Sequence, residues 1–325
     1  MGGLEPGTEA ALRDIVERIA LLEGGRARIA SPGGEAEIGI AGTAGPVAGL
    51  VAALYAHFYC VPSPAPAAGA QPEAFLAGLR AANPVPPRLQ AGWNVVQIDQ
   101  SGVLLADARG AQRRASIQDV VPYAAGLVPG QPARVAVPRE SVSGPGGHYV
   151  AFGRPIPEAR TGRQARFYWN VPPEAAGRFL GIGAGLERRR IPFQAKVPVA
   201  PELYGRADCG VLYLALEDIE AALDLIANSA SALKGSLRPA TPLFARRLAP
   251  GLAFAESPPT RESFGMNRCR LVAEGLVAAF ASGTRDAPGR MAAVRDRFVG
   301  YGLDPAAPER NPATRYPYRL ECLAA

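Results

Sequence analysis

The chain has 325 residues, 48% of them hydrophobic, with 35 basic against 29 acidic residues and a formal net charge of +6. That is enough apolar material for one large domain or two, yet no apolar run reaches the roughly 18 residues that suggest a membrane span. Two histidines exclude a His-rich metal site, and four widely spaced cysteines (Cys60, Cys209, Cys269, Cys322) with no C-x-x-C read as buried thiols. The start, Met1-Gly-Gly-Leu-Glu-Pro, has neither a basic n-region nor an apolar h-region, so a cytoplasmic protein is expected. The surplus positive charge suggests an anionic partner. Nucleic acid is the generic reading, but the arginines form no long tract and no zinc-finger, homeodomain or RRM pattern is present. Phosphate on a smaller substrate fits as well.

Leu12, Ile15, Ile19 and Leu22 recur at helical spacing and predict a helix over 8–23, ended by Gly24-Gly25. A second helix is expected over 46–59, carrying Leu50, Leu54, Tyr55 and Phe58, with His57 as a packed or capping residue. Residues 62–71 are rich in Pro, Ala and Gly and read as a linker, followed by a short helix over 72–82. From Gly92 the pattern turns to strands: 93–98 and 103–106 as a hairpin, then 134–137 and 148–152. The loop from Ser141 to Gly147 is glycine-rich but matches neither the P-loop nor the dinucleotide fingerprint. His148, directly after it, is a minor candidate acid or base. Helices are expected over 172–190, 217–234, 271–282 and 291–299, with 238–259 irregular and the tail from Gly302 packed over the body.

Two strands stand out. In Arg166-Phe-Tyr-Trp-Asn170, alternation sends Phe167 and Trp169 to one face and Arg166, Tyr168 and Asn170 to the other. In Phe193-Gln-Ala-Lys-Val197, Gln194 and Lys196 share the polar face. Lys196 is one of only two lysines, Lys196 and Lys234, among the 35 basic residues. A lysine kept where the chain elsewhere uses arginine suggests a job arginine cannot do. A desolvated or cation-crowded amine can shed its proton, and a guanidinium cannot. A lysine snorkelling off a sheet edge is the plain alternative.

Near Ser257-Pro-Pro-Thr-Arg-Glu262, Pro258 and Pro259 put a helix start nearby, with Thr260 a candidate N-cap. Arg261 and Arg268, seven apart, would share a helical face. Cations in the first turns oppose the helix dipole and make sense if an anion sits there. Neutralisation by Glu262 or another carboxylate is the alternative.

The motifs R-F-Y-W-N, I-P-F-x-x-K-V, R-x-D-x-x-V-L-Y-L, P-L-F-x-x-x-L-A-P-G-L-x-x-A-E-x-P and S-F-G-x-N-R-C-R occur in order between Arg166 and Arg270. Together they resemble the HopA-type effector family, named for a plant-pathogen type III effector. Its relatives occur in gene clusters for ribosomally made, post-translationally modified peptides (RiPPs), including class V lanthipeptides and thioamitides. The resemblance implies as partners a kinase-like phosphotransferase, which phosphorylates Ser or Thr of a precursor peptide, and a cyclase. The chain itself would then remove phosphate by β-elimination, as phosphothreonine lyases do, giving dehydroalanine and dehydrobutyrine. Neither nucleic acid nor membrane is an expected partner.

Those lyases carry a basic residue and an acid two apart on one strand, then a catalytic lysine, an arginine about a dozen residues on, and later two arginines a heptad apart. The resemblance thus implies Arg166 and Tyr168, then Lys196, Arg206, and Arg261 with Arg268. The chain departs from the pattern at Tyr168, where those enzymes have histidine. Lys196 would be the base in its neutral form. Arg166, Arg206, Arg261 and Arg268 would clamp the phosphate, and Tyr168 would assist the leaving oxygen. Asp208 would orient Arg206, and Asn170, Glu262 and Asn267 would support the site. No metal or organic cofactor is needed. The expected architecture is α+β: a helical N-terminal region over 1–90, then a mixed or antiparallel sheet with flanking helices over 91–325, resembling phosphothreonine lyases. A non-catalytic scaffold or effector module that binds a phosphopeptide or a kinase is the alternative function.

Overall fold

The computed structural model describes residues 8–31, 34–42, 45–60, 71–144, 147–157, 160, 162–260, 262–312, 314 and 316–323. The expected linker, apart from Gln71, lies outside these residues, as do Pro145, Gly146 and Arg261. The fold is α+β with antiparallel sheets. No helix among the described residues is long and apolar enough to cross a membrane. Compactness divides the chain elsewhere than at residue 90: Pro84–Ser141 forms one unit, and the segments before and after it form the other.

The first 83 residues are not helical throughout. Helix α1 (Thr8–Arg18) stops earlier than its apolar spacing predicts, and Ile19–Leu22 forms strand β1. It pairs with β2 (Arg26–Ser31), which pairs with β3 (Gly34–Gly39). Gly24 and Gly25 both take positive φ and turn the chain into a hairpin. At Gly25 an added Cβ would also sit 2.3 Å from the Ala41 Cβ. Helix α2 (Gly45–Leu54) follows and runs into a π-turn over Tyr55–Tyr59. Helix α3 (Pro72–Ala82) matches its expected bounds.

The Pro84–Ser141 unit is a five-stranded antiparallel sheet. Its strands are β4 (Arg88–Asp99), β5 (Gly102–Asp107), β6 (Gln112–Ala115), β7 (Val120–Pro122) and β8 (Pro132–Val137), in the order β6-β5-β4-β8-β7. Trp93, Val95, Val103, Leu105, Val120, Ala133 and Val135 form its own core.

After β9 (Glu140–Val142), where the chain returns, the main sheet is built from β10 (His148–Phe152), β11 (Gln164–Trp169), β12 (Gln194–Pro198), β13 (Gly210–Ala215), β14 (Arg246–Ala249) and β15 (Leu252–Glu256). The order is β14-β15-β11-β13-β12-β10-β9. Strand β15 corrects the irregular stretch expected over 238–259. All five of its residues are buried, so it shows none of the alternation that marks a half-buried strand. The helix expected over 172–190 is split into α4 (Ala176–Leu180) and α5 (Ile182–Arg188), and α6 (Ile219–Leu233) follows β13.

Helix α7 (Phe264–Ala281) begins with Ser263 as N-cap, its side chain accepting from the Met266 N–H, rather than at Thr260. It packs against α8 (Ala287–Gly300) and α2. One face of the sheet, through Tyr168, Val211, Ala253 and Ala255, joins the core made by these helices. On the other face Trp169 packs on Phe179 of α4, and Phe254 on Tyr318 of the tail.

Candidate functional site

Strand register fixes two rows of side chains on the face toward α7. Ala253, Tyr168, Val211, Lys196 and Val150 are successive partners from β15 to β10. Ala255, Arg166, Tyr213, Gln194 and Phe152 form the next row. Lys196 and Tyr168 therefore share a face, two strands and about 10 Å apart, with Val211 between them. Burial grades along the row. Ala253, Tyr168 and Val211 are buried, while Lys196 and Val150 are half-buried. The helical layer covers the β15–β11–β13 end and leaves the β12–β10 end accessible. The alternation expected for both strands is observed, since Phe167, Trp169, Ala195 and Val197 are buried on the opposite face.

Lys196 makes no hydrogen bond or ion pair among the described residues. Around it the charges are paired or positioned by neighbours. Arg206, in the turn before β13, grips Asp208 through Nε and through Nη2 (2.8 Å to Oδ2). Its Nη2 also donates to the Tyr55 hydroxyl at 2.7 Å, and its guanidinium lies 5.4 Å from the Tyr55 ring centre. Nη1 of Arg206 remains free among the described residues. The Ala207 N–H donates to the Cys60 carbonyl at 2.7 Å, which ties this turn to the end of the π-turn. Asp208 thus holds the Arg206 guanidinium in place. Arg166 donates from Nε to Ser257 Oγ (3.0 Å) and lies 5.3 Å from the Tyr213 ring centre.

The Tyr168 hydroxyl is sealed in, 2% exposed. It lies against Tyr59 and Arg166 without a hydrogen bond of standard geometry to either. Burial, then Tyr213 and Asp208, push its pKa up to about 12 against the pull of Arg166 and Tyr59. His148 is half-buried on β10. It pairs with Pro198 while Lys196 pairs with Val150, so the two side chains are diagonal neighbours on one face. Burial first, then the cations of Lys196 and Arg206, lower its pKa to about 4 against the opposing effect of Asp208.

Arg268, Glu262, Asn267 and Asn170 are engaged by other partners. Arg268 is 1% exposed, and its guanidinium donates to the Pro308 carbonyl (2.7 Å), the Arg310 carbonyl (3.0 Å) and Asn267 Oδ1 (2.5 Å). It pins the tail to α7, and burial lowers its pKa to about 10. Helix α7 begins at Phe264, and Arg261 lies outside the described residues. Glu262 accepts from Arg270 and from Asn267 Nδ2 (2.9 Å), so it neutralises Arg270 and not Arg268. Asn170 is 1% exposed and follows the end of β11. Its Nδ2 donates to the Ala240 carbonyl at 3.0 Å, a bracing role within the fold. His57 is exposed on the π-turn rather than packed.

Sequence reasoning missed two tyrosines. The π-turn brings Tyr55 onto Arg206 and stacks it on Tyr59 at 4.9 Å, and Tyr59 in turn backs Tyr168. The one signal was Gly265 in S-F-G-x-N-R. An added Cβ there would meet the Tyr59 ring at 2.4 Å, so the glycine makes room for the tyrosine. The thiols of Cys60 and Cys209 flank this contact. Burial raises them to about 12 and about 11, which keeps them protonated and unreactive.

The profile of the HopA1 effector protein family matches residues 140–310, just over half of the chain and the whole run from β10 to α8. No curated protein matches. Among solved structures, the effector protein from Pseudomonas syringae pv. tomato strain DC3000 is 20% identical, covering 78% of this chain and 88% of its own, with a TM-score of 0.49. The effector protein from Pseudomonas syringae pv. syringae strain 61 is 18% identical, covering 78% and 86%, with a TM-score of 0.44.

Proposed function

The chain belongs to the HopA1 effector protein family, and from that premise we propose that it is a phosphoserine/phosphothreonine lyase acting on a phosphorylated precursor peptide in RiPP, lanthipeptide-type, biosynthesis. The observation that carries this reading is Lys196: an amine without a hydrogen bond or ion pair among the described residues, on a sheet face, whose diagonal neighbour His148 also feels the charge of Arg206, itself held by Asp208 and with Nη1 free. In its neutral form the amine takes the α-proton, the electron pair forms the C=C bond, and the C–O bond to phosphate breaks. Arg206 Nη1, Arg166 and Arg261 hold the phosphate as its charge grows. Arg268, which interacts electrostatically with Tyr168 and Arg166, contributes a fixed positive charge. Tyr168 assists through the buried charge balance around Arg166. A kinase-like phosphotransferase acting on the same peptide supplies the substrate, and a cyclase consumes the dehydroalanine or dehydrobutyrine product.

The test is a synthetic peptide carrying one phosphothreonine, incubated with the protein and with Lys196→Ala, and read by mass spectrometry for loss of phosphoric acid. Dehydrated product with the parent and none with the variant is expected. Undiminished loss with Lys196→Ala removes the amine from the mechanism. A second reading, a module that holds a phosphopeptide or a kinase without chemistry, is favoured by the prior engagement of Arg206 with Asp208 and of Arg268 with backbone carbonyls. Binding of the phosphopeptide with no dehydrated product selects it.

A further inference from the structure

Strand β1 is an end strand of its three-stranded sheet, and the register shows which of its peptide groups face outward. The Gly25 carbonyl accepts from the Ile40 N–H, so Gly25, Ala27 and Ile29 turn their peptide groups to β3, and Arg26 and Arg28 turn theirs to β1. Their partners there are Leu22 and Ala20. The peptide groups of Ile19 and Leu21 therefore point to the open edge. The Ile19 carbonyl accepts from Arg290 Nη1. The Leu21 N–H and C=O have no partner among the described residues.

A hollow of about 180 Å³ lies beside β1, bounded by the last turns of α7 and the start of α8. Leu276 and Phe280 give it an apolar wall, and Arg285 and Arg290 carry its charge. The two arginines differ. Arg285 lies 3.9 Å from the Phe280 ring centre, donates to the Phe280 carbonyl at 2.7 Å, and stands 4.0 Å from Glu23, whose side chain is 90% exposed. Arg290 is half-buried and pairs with no carboxylate among the described residues, since Asp286, one turn before it, serves as the N-cap of α8. Its Nε is buried with no acceptor. A partly desolvated guanidinium with unmet donors is costly in a native fold and calls for an acceptor.

Together these features select a ligand. A free N–H and C=O on a strand edge match the backbone of an extended peptide, which a small anion lacks. An arginine without a counter-charge matches a carboxylate, and the apolar wall matches an aliphatic side chain. We propose that the β1 edge binds an acidic peptide segment as an added strand. The segment's backbone pairs with Leu21, an Asp or Glu carboxylate lies against Arg290, and a neighbouring apolar side chain enters the hollow beside Leu276 and Phe280. The site uses none of the residues assigned to elimination, so it stands whether or not the chain is a lyase.

The experiment uses the intact protein and fluorescein-labelled octapeptides of alternating threonine and valine with one central glutamate, read by fluorescence polarisation. The glutamate peptide should bind about 10-fold more tightly than the same peptide with glutamine or lysine, the lower end for a charge-assisted hydrogen bond. N-methylating its backbone at alternate residues should weaken binding for one of the two alternating sets and spare the other, as strand pairing requires and a purely ionic contact does not. Arg290→Gln should erase the preference for glutamate over glutamine, with urea unfolding as the check that the variant folds. Hydrogen exchange on the parent protein reads the same contact without any substitution. The Leu21 amide should exchange readily alone and slow when the glutamate peptide is added, while Ala20 and Leu22, already paired with β2, change little. Equal affinities for the glutamate, glutamine and lysine peptides overturn the proposal. So do protection that misses Leu21 and an absence of binding up to about 1 mM peptide.

Discussion

Replacing Gly265 with alanine tests whether Tyr59 is seated on α7 as described. An added Cβ would lie 2.4, 2.5 and 2.7 Å from three carbons of the Tyr59 ring. Real Cβ contacts begin near 3.4 Å, so the ring must move by about 1 Å. It has little room: it is 1% exposed, stacked on Tyr55 at 4.9 Å and packed on Phe264 at 6.4 Å. Overpacking of this kind costs about 1–3 kcal/mol, against about 1 kcal/mol gained when alanine replaces glycine inside a helix. The net expectation is a loss of about 1–2 kcal/mol, read as a lower midpoint in urea unfolding. Gly78→Ala in α3 is the matched control, since an added Cβ there meets nothing within 4 Å. It should stabilise by about 1 kcal/mol. Combining Gly265→Ala with Tyr59→Leu should recover most of the loss, because the two changes share one contact. Gly265→Ala that stabilises as Gly78→Ala does would refute the seating of Tyr59, and with it the placement of Tyr55 on Arg206.

Other consequences follow from the same structure. Arg190 closes α5 with φ of 61°, a position that favours glycine, so Arg190→Gly should raise stability by up to about 1 kcal/mol in thermal unfolding. Arg268→Ala should cost about 2–4 kcal/mol by leaving the Pro308 and Arg310 carbonyls without donors, and hydrogen exchange should show faster exchange around 308–312. His148 has a pKa of about 4, below the ordinary 6.5, so the unfolded chain binds a proton there that the folded chain refuses. Its contribution to stability is therefore complete above about pH 6.5 and is lost as pH falls through about 4. Stability measured against pH should be flatter across that window in His148→Gln.

The sequence was readable where one physical rule governed locally. The polar faces of β11 and β12 follow from alternation alone, and α3 from Pro72 at its start and apolar spacing. It was unreadable where tertiary context decided. Ile19 and Leu22 fit a helical stripe, but the Gly24-Gly25 hairpin draws them into β1. Leu252–Glu256 is buried on both faces, so nothing in its pattern separated it from a loop edged with prolines. The site shows the same contrast. Arg206 beside Asp208 is a local arrangement two residues long, whereas the Tyr55–Arg206 contact joins residues 151 apart in sequence. Arg268 is expected from its motif to hold phosphate, but its guanidinium donates to carbonyls of the tail 40 and 42 residues on, which no helical wheel discloses.

The most direct measurement follows the fate of the α-hydrogen in a phosphothreonine peptide deuterated at that carbon. The account predicts a dehydrobutyrine product without the label, formed more slowly than from the undeuterated peptide, and no such product with Lys196→Gln. A product that keeps its label as free threonine, with phosphate released by water, would contradict it.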